Sequence, residues 1–291
     1  MNANKLLKRS FIALMPFALV SCGPKEFDVS HSVSIITRED GSGTKSAFME
    51  LLGLKGKDDP EEATIQNGTA AVLAEVENNM YAIAYDSLGY VTEDVKLLQV
   101  DGVEPTIENI KTGDYAISRP LNVVYKTADI EGSPLYSDYL SFLSSSQAQQ
   151  IISEEGYVSI VDGAITYAAP ETPLSGTIQI SGSTSLQPLM ILLAEAYEQL
   201  NGNVSIEVAG GGSGTGYENA ENGVSAFGMI SEEFNSEKAP SCVYSTVAKD
   251  GIGIIVNLDN PVEDISLEDL SRLYDVDASP AISSWSELIT E

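Results

Sequence analysis

The sequence predicts an α/β fold with two lobes. Short apolar runs typical of covered β-strands alternate with amphipathic helical patterns along the chain. The sequence Gly-Ser-Gly-Thr occurs twice, at residues 41–44 and 212–215, on the two sides of a segment without periodicity. The chain of 291 residues also exceeds the size that one hydrophobic core usually serves.

Six apolar runs predict strands, and several of them are continuous, as strands of a covered sheet are. These runs are residues 33–37, 81–85, 121–125, 177–180, 204–208 and 252–256. Apolar residues at helical spacing predict an amphipathic helix over 189–200, and similar patterns cover about 68–77, 135–153 and 266–274. Residues 162–175, which include two prolines, predict a linker that contributes no core contacts.

The N-terminus has the pattern of a bacterial lipoprotein signal. Three basic residues precede an apolar run over residues 11–20, and Ser21-Cys22 follows it. The run is too short to span a bilayer. We therefore predict a signal peptide at 1–21, lipid such as palmitate on Cys22, a tether at 22–32 and an extracytoplasmic, membrane-anchored protein. The alternative is a buried free cysteine after a short hydrophobic helix.

The composition is strongly acidic, with 43 acidic residues against 15 basic ones and a formal net charge of −28. This charge excludes nucleic acid as a partner. It also opposes the long-range capture of a free anion, so an anion site would need local dipoles and one or two placed cations. No metal or cofactor site is predicted. Cys242, the only cysteine besides Cys22, is predicted to be a small buried residue.

Three predicted strands pass into helices through loops of glycine and hydroxyl residues, at 41–44, 182–185 and 212–215. The first amides of a helix have no intrahelical partner and the helix dipole is positive there, so these loops predict an anion site. Arg38 lies before the first loop, and its guanidinium could bind two oxygens of a tetrahedral oxyanion. Asp40 could orient Arg38. The alternatives are ordinary turns and a solvated surface ion pair.

These segments resemble those of the phosphate-binding lipoproteins of ABC phosphate importers, in the periplasmic-binding-protein type II superfamily. The similar segments are residues 37–44, 115–121, 156–158, 182–185, 210–216, 228–231, 249–252 and 285–288. In that family, the counterpart of 182–231 comes first, then those of 249–288, 38–44 and 115–158. The chain therefore resembles a circular permutant, whose usual termini are joined through residues 162–175.

The resemblance implies two lobes with the ligand cleft between them. One lobe would combine residues 33–116 and 246–291, and the other would be continuous from 117 to 245. Glu232 would accept the proton of a phosphate ion, which sulfate lacks. The phosphate-binding residues that the resemblance implies are Arg38, Ser42, Gly43, Thr44, Thr184, Ser185, Ser213, Ser231 and Glu232, with Asp40 orienting Arg38.

Two other classes of function were weighed against phosphate capture. An enzyme is disfavoured because His31 is the only histidine, so no Ser-His-Asp triad is available, and neither a G-x-S-x-G elbow nor a Walker A loop occurs. A signalling or adhesive lipoprotein that retains the fold is the alternative. We predict a binding protein, not an enzyme, that delivers inorganic phosphate to the membrane permease subunits of an ABC importer.

Overall fold

The computed structural model describes residues 26–289. The predicted signal peptide, Cys22 and the first residues of the tether lie outside this range. Within the described range, no helix is both long enough and apolar enough to cross a membrane.

All six predicted strands are present. The structure gives β1 (Ser34–Arg38), β2 (Thr64–Gln66), β3 (Ala82–Ser87), β4 (Val95–Leu97), β5 (Gln99–Val100), β6 (Ser118–Tyr125), β7 (Gly176–Gly182), β8 (Val204–Gly210), β9 (Phe227–Ile230), β10 (Val243–Asn257) and β11 (Asp264–Ile265). β10 begins nine residues before the predicted run. The sequence did not reveal this extension because its first four residues are exposed or half-buried and include polar ones, so they form no apolar run. β9 was not predicted because it is only four residues long.

The predicted helices are also present, with one difference. The structure gives α1 (Gly43–Leu51), α2 (Thr69–Asn78), α3 (Ile107–Thr112), α4 (Thr127–Gly132), α5 (Pro134–Leu143), α6 (Ser146–Glu154), α7 (Gln187–Leu200), α8 (Ser213–Glu221) and α9 (Leu267–Tyr274). The six-residue helices α3 and α4 were not predicted. The single pattern predicted over 135–153 is two helices. The break occurs at Ser145, whose side chain caps α6 by accepting a hydrogen bond from the Ala148 N–H.

One mixed sheet runs through the molecule in the order β2-β1-β3-β10-β6-β9-β7-β8, and β4 also pairs with β10. β1 is parallel to β2 and β3, and β7 is parallel to β8 and β9. The long antiparallel pair β6–β10 joins these two parallel groups. The predicted α/β class is therefore confirmed.

The buried apolar side chains form two main hydrophobic cores. The first core contains residues from 33–117 and 252–285, and the second contains residues from 121–248. Val158 is an exception, because it joins the first core and exchanges backbone hydrogen bonds with Lys249. Cys242 is buried, as predicted, in a small separate cluster.

The segment 162–175 has no helix or strand, as predicted, but the expectation that it makes no core contacts is wrong. The Tyr167 ring packs against the second core, 5.4 Å from the Phe142 ring and 5.8 Å from the Tyr197 ring. Its hydroxyl donates to Asp138 Oδ2 at 2.5 Å. Leu174 also packs against the second core, and Gln147 exchanges hydrogen bonds with the Tyr167 backbone. Such isolated contacts dock an irregular segment but leave no periodic signal in the sequence.

We expect Tyr167→Ala to lower the free energy of unfolding by about 3 kcal/mol, because it removes an aromatic ring from the second core together with its hydrogen bond. Ile165→Ala is the matched control in the same segment, since Ile165 is 83% exposed, and should change stability by less than about 0.5 kcal/mol. Urea denaturation measures both. Equal effects would show that the segment is only a tether.

Candidate anion-binding site

Four helices begin shortly after the carboxyl ends of strands in the two parallel groups. α1 follows β1, α2 follows β2, α7 follows β7 and α8 follows β8. The first N–H groups of a helix lack intrahelical partners, and the dipole is positive there. Ser42 Oγ caps α1, whereas the capping residues of α2 and α8, Gly68 and Gly212, have no side chain to do so. Free backbone donors are therefore available at several helix starts.

Hydroxyl groups from three of these junctions are hydrogen-bonded to the Arg38 guanidinium or to one another. Arg38 donates from Nη2 to Thr184 Oγ1 at 3.1 Å and from Nη1 to Thr69 Oγ1 at 3.5 Å. Thr44 Oγ1 and Ser185 Oγ share a hydrogen bond of 2.9 Å, and Thr69 Oγ1 lies 3.4 Å from Ser185 Oγ. We call these five residues the hydroxyl cluster. It combines residues that follow β1 and β2 with residues that follow β7.

A second contact joins the starts of α1 and α8. Ser213 Oγ accepts a hydrogen bond from the Ser231 N–H at 3.0 Å. A Cβ atom at Gly43 would lie 2.2 Å from Ser213 Oγ and 2.7 Å from Ser231 Oγ, so only glycine fits there. The Gly214 N–H also donates to the Gly41 carbonyl at 3.0 Å. The two parallel groups of strands thus touch through the glycine loops that the sequence singled out.

Arg38 is 1% exposed, and its charge is balanced by the next residue. Its Nε and Nη2 donate to the two carboxylate oxygens of Glu39 at 2.8 and 2.9 Å. The Gly68 N–H donates to Glu39 Oε2 at 3.1 Å. Burial opposes ionisation of Glu39, but the Arg38 hydrogen bonds and charge hold its pKa below the ordinary value. Glu39 therefore fixes the orientation of the guanidinium.

The prediction that Asp40 orients Arg38 is wrong. The Asp40 side chain is fully exposed and accepts a hydrogen bond from Lys45 Nζ at 3.0 Å. β1 ends at Arg38, and the chain turns at Gly41, where φ is 83°. Asp40 lies in this turn, so the alternation of the strand no longer directs its side chain toward Arg38.

The other predicted residues occupy four kinds of position. Thr44, Thr184 and Ser185 belong to the hydroxyl cluster, and Gly43, Ser213 and Ser231 form the neighbouring contact between α1 and α8. Ser42 caps α1. The Glu232 side chain is 6% exposed and pairs with Lys238 Nζ at 2.7 Å, so its carboxylate has a partner outside the hydroxyl cluster. Its contact with an anion stays a prediction.

Thr69 was missed in the sequence. It is the first residue of α2 and follows β2 through Gly68, which is the same strand, glycine, hydroxyl and helix pattern as in the predicted loops. The pattern was overlooked because β2 has only three residues, none of them buried, and so gives no apolar run. Glu39 was missed for another reason, because its sequence position does not reveal that its side chain turns back onto Arg38.

Arg119 lies behind the contact between Ser213 and Ser231. It is buried, pairs with the equally buried Asp250 at 3.0 Å, and donates from Nη1 to the Ser231 carbonyl at 3.2 Å. It therefore holds the Ser231 backbone in place. Among residues 26–289, no group of three or more His, Cys, Asp or Glu side chains could hold a metal ion.

Comparison with known proteins identifies the family. The model of the PBP superfamily domain matches residues 29–147 and 168–290. Phosphate-binding protein PstS 2 of Streptococcus pneumoniae TIGR4 is 33% identical over 299 residues, which cover 99% of this chain and 100% of that protein. The chain belongs to the family of phosphate-binding proteins. PstS 2 of Streptococcus agalactiae serotype V, another family member, is 35% identical over 88% of both chains.

A solved structure of a similar protein confirms the predicted fold of this chain. The crystal structure of a phosphate-binding protein of a phosphate ABC transporter from Streptococcus pneumoniae TIGR4 has a TM-score of 0.70 and 33% identity, and the match covers 89% of this chain and 100% of that one. The resemblance predicted from the sequence is therefore correct at the level of family and fold.

The predicted circular permutation is not established by these matches. The streptococcal PstS 2 proteins align along almost the whole chain, so they share its order of segments. PstS of Bacillus subtilis is 35% identical over 124 residues, which are 42% of this chain and 40% of that protein. If two relatives carry the same segments in exchanged order, a continuous alignment can cover only one of the exchanged parts. A match to less than half of each chain agrees with such an exchange, but the permutation stays a prediction.

We expect Glu39→Gln to lower the free energy of unfolding by about 3 kcal/mol at neutral pH, because the buried Arg38 charge loses its carboxylate. Asp40→Asn, the neighbouring control, should cost less than about 1 kcal/mol, because its ion pair is exposed. Urea denaturation compares the two variants. A larger loss in Asp40→Asn would contradict the assignment of Glu39 as the partner of Arg38.

The pH dependence of this difference follows from the lowered pKa of Glu39. A carboxyl group with a lowered folded-state pKa stabilises the fold above its ordinary pKa, and this contribution is lost as the pH falls through the folded value. The gap between the wild type and Glu39→Gln should therefore shrink below about pH 4. A gap that stayed constant would show that the charge of Glu39 is not what stabilises Arg38.

Proposed function

We propose that this protein captures inorganic phosphate outside the cytoplasm and delivers it to the permease subunits of an ABC phosphate importer. The observation that carries the proposal is the hydroxyl cluster, in which a buried arginine and four hydroxyl groups meet beside the starts of several helices. Membership of the phosphate-binding protein family supports the same ligand.

The chemistry of the hydroxyl cluster suits a tetrahedral oxyanion. A guanidinium fork and hydroxyl groups donate hydrogen bonds in several directions, and each bond to a charged group contributes about 1.5–3 kcal/mol. The positive ends of the helices add a field that does not depend on the net charge of the protein. Arg38 is held at a fixed angle by Glu39, so little ordering remains to be done when the anion binds.

Discrimination against sulfate is assigned to Glu232. Phosphate near neutral pH carries at least one proton and can donate it to a carboxylate, whereas sulfate carries none. Glu232 directly follows Ser231, which contacts Ser213 at the start of α8, and its side chain is almost fully buried. Lys238 would then be the group that keeps Glu232 oriented.

We further infer that the two hydrophobic cores are two lobes, residues 33–116 with 246–291 and residues 117–245, which close on the ligand. β6 and β10 connect the cores, and their pairing shifts register between Thr246 and Ala248. Such an irregularity is a suitable place for a hinge. The contacts of Gly43 with Ser213 and of Gly41 with Gly214 would form when the lobes close.

The proposal includes a lipid anchor on Cys22 and no enzymatic activity. The signal pattern before Cys22 supports the anchor, which would keep the binding protein near its permease. The relatives are named as binding proteins of transporters, and substrate capture of this kind needs no chemical step. A signalling or adhesive lipoprotein with the same fold is the other function to test.

We expect Arg38→Lys to weaken phosphate binding about 10- to 100-fold, because an ammonium group cannot replace a bidentate guanidinium. Arg272→Lys is the matched control, since Arg272 lies on the partly exposed side of α9 and pairs only locally, and it should bind like the wild type. Calorimetric titration with phosphate measures both. Equal affinities would place the anion elsewhere, and a wild type that binds no phosphate would favour the signalling or adhesive function.

Gly43→Ala tests the proposed closure. Its new methyl group would overlap Ser213 Oγ and Ser231 Oγ when the loops meet, so we expect about a 10- to 100-fold loss of affinity with little loss of stability in the open form. Gly132→Ala adds the same group on α4, where nothing lies within 4 Å, and serves as the control. Unchanged binding by Gly43→Ala would mean that this contact does not form around the ligand.

A further inference from the structure

Asp86 is a buried carboxyl group that the proposed site does not use. It is 0% exposed and lies at the end of β3. Its Oδ1 accepts a hydrogen bond from the Ser87 N–H at 2.8 Å, but Oδ2 has no hydrogen-bond partner among the described residues. A buried polar atom without a partner is costly and is rare in native structures, so its retention calls for a physical reason.

The sheet places Asp86 beside Arg38. β1 and β3 are parallel, with Ser34 opposite Ala82 and Ile35 opposite Ile83. Beyond these pairs the Tyr274 hydroxyl bridges the carbonyls of Ile36 and Ile83, at 3.1 and 3.4 Å, so Arg38 and Asp86 lie at the ends of neighbouring strands without direct backbone pairing. The Tyr85 hydroxyl accepts a hydrogen bond from the Arg38 N–H at 3.2 Å, which joins the end of β1 to the residue before Asp86, and the Arg38 charge acts to lower the pKa of Asp86.

The charges around Asp86 are nearly balanced before any anion arrives. The charged groups that face it are Arg38 on β1, Arg119 on β6 and Asp250 on β10. Arg38 is already paired with Glu39, and Arg119 is already paired with Asp250. An ionised Asp86 therefore makes this buried group net negative by one charge. A phosphate dianion beside Arg38 would add two negative charges and bring the net charge of this small region to −3.

We propose that Asp86 tunes the anion site by taking up one proton when a doubly charged phosphate ion binds beside Arg38. The inference rests on the proposed phosphate function. The proton comes from water and forms an O–H bond on the carboxyl group, which removes one of the three negative charges. Asp86 acts on the ligand through the charge near Arg38, so it is a positioning residue and not a direct ligand.

The electrostatics of the free protein agree with this role. Burial raises the pKa of Asp86 to about 7, against the opposing influence of Arg38 and Arg119. A bound dianion stabilises the neutral carboxyl further and raises this pKa again. Binding then takes up a proton wherever Asp86 is ionised in the free protein, so the affinity falls as the pH rises above about 7.

The test compares phosphate binding by the wild type and by Asp86→Asn, which mimics the neutral carboxyl, from about pH 6 to about pH 9. Both proteins meet the same mixture of phosphate ions, so the ratio of their affinities isolates the residue. We expect wild-type affinity to fall relative to the variant above about pH 7, by up to about tenfold per pH unit. Calorimetry in buffers of different ionisation enthalpy counts the protons taken up on phosphate binding, and the wild type should take up to one proton more than Asp86→Asn.

Asp114→Asn, which removes an exposed carboxyl group, is the control and should keep the wild-type profile. If Asp86 had a purely structural role, its replacement would shift the affinity equally at every pH. Parallel plots of affinity against pH for the two proteins, with equal proton counts, would overturn this inference and leave the proposed function standing. A wild type that binds no phosphate at any pH would overturn the proposed function and this inference with it.

Discussion

The buried charge of Arg38 is the constraint around which the site is organised. A guanidinium removed from water is tolerated only when hydrogen bonds and an opposite charge replace the lost hydration. Glu39 supplies that charge from the adjacent position, with two hydrogen bonds below 3 Å. Thr69 and Thr184, which lie at two other strand-to-helix junctions, accept further hydrogen bonds from Arg38. Arg38 thereby brings together residues that follow strands of both parallel groups.

The strong acidity of the chain and an anion site are compatible because they act over different distances. Charges on the surface are screened over about 10 Å in ordinary salt, whereas hydrogen-bond donors and helix ends act at contact. The only charged group that the hydroxyl cluster presents is Arg38, and even this charge is paired with Glu39. Recognition would therefore depend on the number and direction of donors, and the net charge of −28 would have little effect on the bound state.

The sheet explains how segments far apart in the chain can form one site. Parallel strands present their carboxyl ends on one side, and helices that follow such ends start close together. β1 and β2 supply two of these starts, and β7 and β8 supply the other two. The antiparallel strands β6 and β10 hold the two groups in register and carry the buried Arg119–Asp250 pair.

The sequence by itself determined the class of fold, most of the regular elements, the family and most residues of the candidate site. Local signals were sufficient for these, because apolar runs, helical spacing and glycine-hydroxyl loops are properties of neighbouring residues. Thr69 was missed because the exposed strand before it gives no such signal.

The tertiary structure alone decided which side chains meet. It replaced Asp40 with Glu39 as the partner of Arg38, docked Tyr167 on the second core, and set Asp86 beside Arg38 on a neighbouring strand. These relations depend on the turn after β1, on strand register and on packing between distant segments. Such features arise only when the whole chain has folded, so no pattern of adjacent residues encodes them.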